Sequence, residues 1–138
     1  TKQATPPDGL SEVVAIAAGT YHSLALRRDG TVMGWGEDSE GQATPPPGLN
    51  GVVAIAAGRS HSLALRSDGR VVAWGEPFLT AAAATLQDVV AIAASASHSL
   101  AVTSTGAVVA WGSPGGLAVP PGLTDVVAVA AGTRSSLA

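Results

Sequence analysis

Cysteine is absent from the 138 residues, which excludes disulfides, thiolate metal sites and thiol catalysis. Lysine is nearly absent as well: Lys2 stands alone, and the six arginines are scattered along the chain. Binding a phosphate backbone needs clustered cations. With a net charge of −3, the chain is read as having no nucleic-acid partner. Aromatic residues number only five, Tyr21, Trp35, Trp74, Phe78 and Trp111, so the core is not built on large rings. Charged residues make up 12%, low for a free-standing domain, which implies that some surface is covered by more protein. No apolar run approaches the ~20 residues of a membrane helix, so no membrane span is expected. No secretory leader is visible.

What the chain does contain is repetition, the first property to test for. Val13-Val14-Ala15-Ile16-Ala17-Ala18-Gly19 returns from Val52, Val89 and Val126, at steps of 39, 37 and 37 residues. The third copy ends in Ser95 instead of Gly. His22-Ser23-Leu24-Ala25-Leu26 returns from His61 and His98, and a fourth copy, from Ser135, has lost the His. Trp35-Gly36 returns as Trp74-Gly75 and Trp111-Gly112, and Pro-rich segments ending in Gly-Leu stand between the units. Repeats of approximately 1–36, 37–75, 76–112 and an incomplete 113–138 follow from this register.

Each unit reads as short strands. The Val/Ala/Ile runs are too short for helices and lack a 3.6-residue period, while the His-Ser-Leu-Ala-Leu segment alternates with period two. Asp29-Gly30 and Asp68-Gly69 sit between strand-like runs and predict two-residue hairpin turns with both central residues at positive φ. Thr105-Gly106 is a weaker version. The prolines lie between units, where a missing N–H is tolerated. A unit of about 38 residues with three or four antiparallel strands stacks as a propeller blade. The expected fold is therefore all-β, with four-stranded or nearly four-stranded blades. The alanine run 81–84 is the one place where a short helical turn is expected, since Ala favours it.

The pattern Val-Val-Ala-Ile-Ala-Ala-Gly-x-x-His-Ser-Leu-Ala-Leu-x-x-Asp-Gly-x-Val-x-x-Trp-Gly, followed by Glu40-Gly41-Gln42 and prolines, resembles the regulator-of-chromosome-condensation repeat family. The compact blade and the Gln-Ala-Thr-Pro-Pro linker are similar to its short-repeat bacterial branch. The resemblance implies a β-propeller, usually of seven blades, acting as a protein-binding platform. It covers members as different as a nucleotide-exchange factor on chromatin and a secreted bacterial β-lactamase inhibitor. A secreted or cell-surface bacterial location is the corresponding expectation. The third linker, 77–87, departs from the pattern: it lacks Gly-Gln-Pro and carries Phe78-Leu79 and an alanine run.

Three histidines at equivalent positions, His22, His61 and His98, could converge on a propeller axis and hold a metal, which requires ligands around one ion. Their place inside the most repeated motif favours a structural role in each unit's own hydrogen bonding. His followed by Ser suggests a nucleophile and base. However, neighbours on a strand point to opposite faces and cannot form the activating hydrogen bond. Trp35, Trp74 and Trp111 are periodic too. They are read as packing between blades, the alternative being a stacking surface for sugars or bases. No phosphate loop, zinc-protease helix or paired-carboxylate motif is present, so no catalytic residue, metal or cofactor is assigned.

Recognition is sought where the units differ, because scaffold demands are shared and ligand demands are not. Two loop sets differ. One precedes the His position and carries Tyr21, Arg59 and Arg134. The other follows Trp-Gly and carries Glu37, Asp38, Glu40, Phe78 and Leu79. Tyr, Arg and Phe are residue types that anchor interfaces, whereas the plain alternative is ordinary solvated turns. A cation on the Glu37-Asp38-Glu40 turn is a further alternative. The resulting expectation is a non-catalytic protein-binding scaffold. A structural array without a specific ligand, or an enzyme with chemistry in the central channel, are the competing readings. Counting segments, four of three kinds but only three Trp strands, predicts part of a ring. The remaining blades, or another copy of the chain, would complete it.

Overall fold

The computed structural model describes residues 5–112, 118–132 and 136–137. Three antiparallel sheets of three strands follow one another along the chain. Blade 1 comprises β1 (Val13–Ala18), β2 (His22–Arg27) and β3 (Val32–Gly36). Blade 2 comprises β4 (Val52–Ala57), β5 (His61–Arg66) and β6 (Val71–Gly75). A short helix, α1 (Pro77–Thr80), and a 3₁₀ turn, Ala83–Thr85, precede blade 3, formed by β7 (Val89–Ala94), β8 (His98–Thr103) and β9 (Val108–Gly112). Of the fourth unit, β10 (Ala130–Ala131) pairs with β11 (Ser136–Leu137). The candidate residue Arg134 lies outside the described residues.

The register is the same in every blade. His22 faces Gly36, His61 faces Gly75 and His98 faces Gly112 across the second and third strands. The first strand carries a bulge just inside its start, between Val13 and Ala15, Val52 and Ala54, and Val89 and Ala91. The residue before each bulge, Glu12, Gly51 or Asp88, has φ between 56° and 64°, and Asp125 at the matching place in the fourth unit has φ 56°. The repeat therefore conserves a left-handed backbone position without conserving the residue that fills it.

Two sequence expectations change. The hairpin turns are not two-residue turns with paired positive φ. Arg27 N–H donates to the Thr31 carbonyl and Gly30 N–H to that of Arg27, and of Asp29 and Gly30 only Gly30 is left-handed, at φ 82°. This is a three-residue loop, a type I turn closed by a glycine bulge. It explains why Thr105-Gly106 serves as well as Asp-Gly. Among the described residues the three full blades are also three-stranded. The place of a fourth strand is taken by the linker, held by side chains reaching its carbonyls rather than by a ladder. The third linker carries the helical turns: the 3₁₀ turn Ala83–Thr85 overlaps the expected alanine run 81–84, and α1, Pro77–Thr80, lies outside it.

The core lies between the sheets. Leu24 and Leu26 of blade 1 pack with Val52, Ala64 and Trp74 of blade 2. Leu63, Leu65 and Val71 of blade 2 pack with Val89, Ala101 and Trp111 of blade 3. The alanine-rich first strands β1, β4 and β7 lie side by side and the third strands stand apart, so the sheets fan out like blades around an axis. Alanine on the first strands is what permits that close approach.

Candidate functional site

A histidine ties each blade to the next. His22 Nε2 is 2.7 Å from Ser62 Oγ, His61 Nε2 is 2.7 Å from Ser99 Oγ, and His98 Nε2 is 2.8 Å from Ser136 Oγ. Ser62 Oγ–H donates to the Gln42 carbonyl at 2.8 Å. Its hydrogen is thereby committed, so His22 donates from Nε2. Trp74 Nε1–H donates to the same carbonyl at 2.9 Å. In blade 3 the corresponding acceptor is the Leu79 carbonyl, 3.0 Å from Trp111 Nε1. All three imidazoles are buried. Desolvation pushes each below its ordinary value, opposed at His22 by the Asp38 charge and reinforced at His61 by repulsion from His22 and His98.

The rings are strung from blade to blade, each with its own serine, rather than gathered on one point. Among the described residues no three His, Asp or Glu side chains form a group that could hold a metal. The serine bonded to a histidine belongs to the following blade, so the adjacent His-Ser pair serves two different joints. Sequence reading did not foresee Gln42, Ser62 and Ser99 as partners. The signal was the Ser that follows every His.

Antiparallel pairing brings both variable loop sets to one end of the blades, because β2 begins where β3 stops. Glu37 N–H donates to the Tyr21 carbonyl and Glu76 N–H to that of Ser60, both at 2.9 Å. On this end the Arg59 guanidinium of blade 2 lies over the Tyr21 ring of blade 1, 5.9 Å from its centroid, a cation–π distance. Phe78 is 64% exposed on α1. An open groove of about 310 Å³ runs across the ends of the first strands, from Ala18 and Gly19 through Gly58 and Ser95 to Gly132.

Not every candidate residue lies on this surface. Leu79 is buried: it takes the place that Gln42 holds in the preceding linker and packs beside Gly112 as Gln42 packs beside Gly75. It is thereby removed from the recognition set. Asp38 is exposed, but its carboxylate accepts Ala43 N–H at 2.7 Å and Thr44 Oγ1–H at 2.6 Å, which fixes its own loop. Glu37 accepts Ser39 N–H at 3.3 Å, and Glu40 is exposed beside it. Trp74 and Trp111 are buried between blades and Trp35 is half-buried.

The regulator of chromosome condensation (RCC1) repeat matches residues 13–42, 52–77 and 89–115, together more than half of the chain. No curated protein sequence matches it. Among solved structures, Prp20p from Saccharomyces cerevisiae superposes with a TM-score of 0.71 at 21% identity, over 91% of this chain and 43% of that one. The CRINKLY WD40 ectodomain of the Arabidopsis thaliana receptor kinase ACR4 gives 0.67 at 24%, over 88% and 43%. Human WBSCR16 gives 0.65 at 23%, over 81% and 35%. These likenesses establish the fold, and the chain spans less than half the length of the structures it matches.

Proposed function

The chain belongs to the regulator of chromosome condensation repeat family, and from that premise we propose that it is a non-catalytic protein-binding arc of a β-propeller. Its recognition face is the end that carries the loops before the second strands and after the third strands. The observation that carries this reading is the Arg59–Tyr21 stack across adjacent blades. Two residues that break the repeat meet each other on the one end where the units differ, beside the exposed Phe78. Prp20p has been crystallised bound to Kap60 and characterised for binding Gsp1p and histones, so the same fold serves protein partners elsewhere. A secreted or cell-surface bacterial setting belongs to the same proposal.

A photo-crosslinking amino acid at Tyr21, Arg59 or Phe78, compared with one at Asp29 or Asp68 on the opposite end, tests it in the source cells. Partners captured from the first set only are expected. Equal capture from both ends, or none from either, overturns the proposal in favour of a structural array.

A further inference from the structure

The three inter-blade histidines are not equivalent, and the difference traces to one departure in the repeat. In blades 1 and 2 the first strand is followed by Gly19 and Gly58, and in blade 3 by Ser95. Ser95 Oγ is 2.7 Å from His98 Nδ1 and 3.1 Å from the His98 carbonyl, and it also receives His98 N–H at 3.1 Å. His61 has nothing comparable. Its ring packs against Gly58 so closely that a Cβ there would stand 2.6 Å from Nδ1. Nδ1 is buried without a hydrogen-bond partner among the described residues. Its Nε2 is engaged with Ser99 across the joint.

A hydrogen on Nδ1 would be a buried donor with no acceptor, so neutral His61 carries its hydrogen on Nε2 toward Ser99 and leaves Nδ1 as a silent acceptor. A proton at Nδ1 creates a buried cationic donor with no acceptor, which is among the costliest changes an interior can suffer. The titratable groups that act on it are His22 of blade 1 and His98 of blade 3, both of the same sign when protonated, whereas Asp38 acts on His22. For His98 the outcome differs. Ser95 Oγ can turn its hydrogen to the His98 carbonyl and accept from Nδ1–H, so a proton on that ring finds a partner in place.

We propose that the joint between blades 2 and 3 is an acid-opened seam. His61 gains a proton only when blade 3 separates from blade 2, while His98 is protonated within the folded chain through Ser95. The depression of His61 to about 4 agrees with the geometry.

The test combines NMR titration of the three imidazoles with the acid transition followed by tryptophan emission, since Trp111 is buried in this joint. In the unmodified chain, His98 should titrate while native signals persist, and His61 should protonate only together with the loss of those signals. His61→Gln retains a donor toward Ser99 but cannot be protonated, and should move the acid midpoint down by about one pH unit. Ser95→Gly restores the residue of blades 1 and 2, and should lower the native His98 titration by a similar amount. An unchanged acid midpoint in folded His61→Gln overturns the proposal. If that variant does not fold, the wild-type titration decides: native signals persisting through His61 protonation overturn it equally.

Discussion

At the scale of single residues, the joints are held by hydrogen bonds whose value lies in what their loss leaves behind. Ser62 Oγ is the acceptor for the buried His22 Nε2–H and a donor to Gln42. Ser62→Ala strands the His22 donor, while the Gln42 carbonyl keeps its bond from Trp74 Nε1–H, so a loss of about 1–3 kcal/mol is expected. Ser104→Ala, at an exposed turn position, should change stability by less than about 0.5 kcal/mol. Urea unfolding of both variants checks the contrast. His61 adds a pH term. Its folded value is pushed down to about 4 by desolvation and then by His22 and His98, below the usual value of about 6.5. Between those limits the unfolded chain binds more protons, so stability rises with pH. The contribution is complete above about pH 6.5 and declines by up to about 1.4 kcal/mol per pH unit on acidification. Unfolding free energies measured from pH 8 to 4 that stay flat across this window would contradict it.

At the scale of elements, the first strands depend on a left-handed residue before each bulge. Glu12, Asp88 and Asp125 occupy it at φ 56°, and Gly51 fills the same place at φ 64°. A non-glycine residue there costs roughly 1 kcal/mol, so Asp88→Gly should raise stability by up to about 1 kcal/mol. Gly51→Val should lower it by more, because a β-branched residue at positive φ is a true outlier. Thermal unfolding of the two variants reads the opposite signs. This position also shows where sequence reading stops. Strand order, period and the Trp-Gly ending were legible because each repeats a side-chain pattern. The bulge was not, because four copies share a left-handed backbone conformation while the residue there varies among Glu, Gly and Asp. The three-residue turns were missed for a related reason: Asp-Gly is compatible with two loop lengths, and only the Gly30 conformation decides between them. At the candidate face, Tyr21, Arg59 and Phe78 were legible as breaks in the repeat. The burial of Leu79 was not, since the irregular third linker gave no register by which to align it with Gln42.

At the scale of the whole molecule, the repeat supplies its own standard for what each face should cover. On the leading side, Val13 is 38% exposed where Val52 and Val89 are 4% exposed. Ile16 is 77% exposed, whereas Ile55 and Ile92 pack against the preceding blade. On the trailing side, Leu137 is 72% exposed where Leu24, Leu63 and Leu100 are between 0% and 2%. The two faces are complementary by construction, because inside the arc the leading face of one blade already packs on the trailing face of another. Uncovered apolar surface of this kind drives association, and a head-to-tail contact between copies repeats an interface the chain has already made. The chain on its own should therefore associate with rising concentration, as read by size-exclusion chromatography with light scattering. Ile16→Lys should weaken that association, since it sets a charge against an apolar face on the outer side of blade 1, away from the joints between units. A monodisperse monomer at every concentration, with Ile16→Lys indistinguishable from it, would show that these faces are tolerated as solvent-exposed surface.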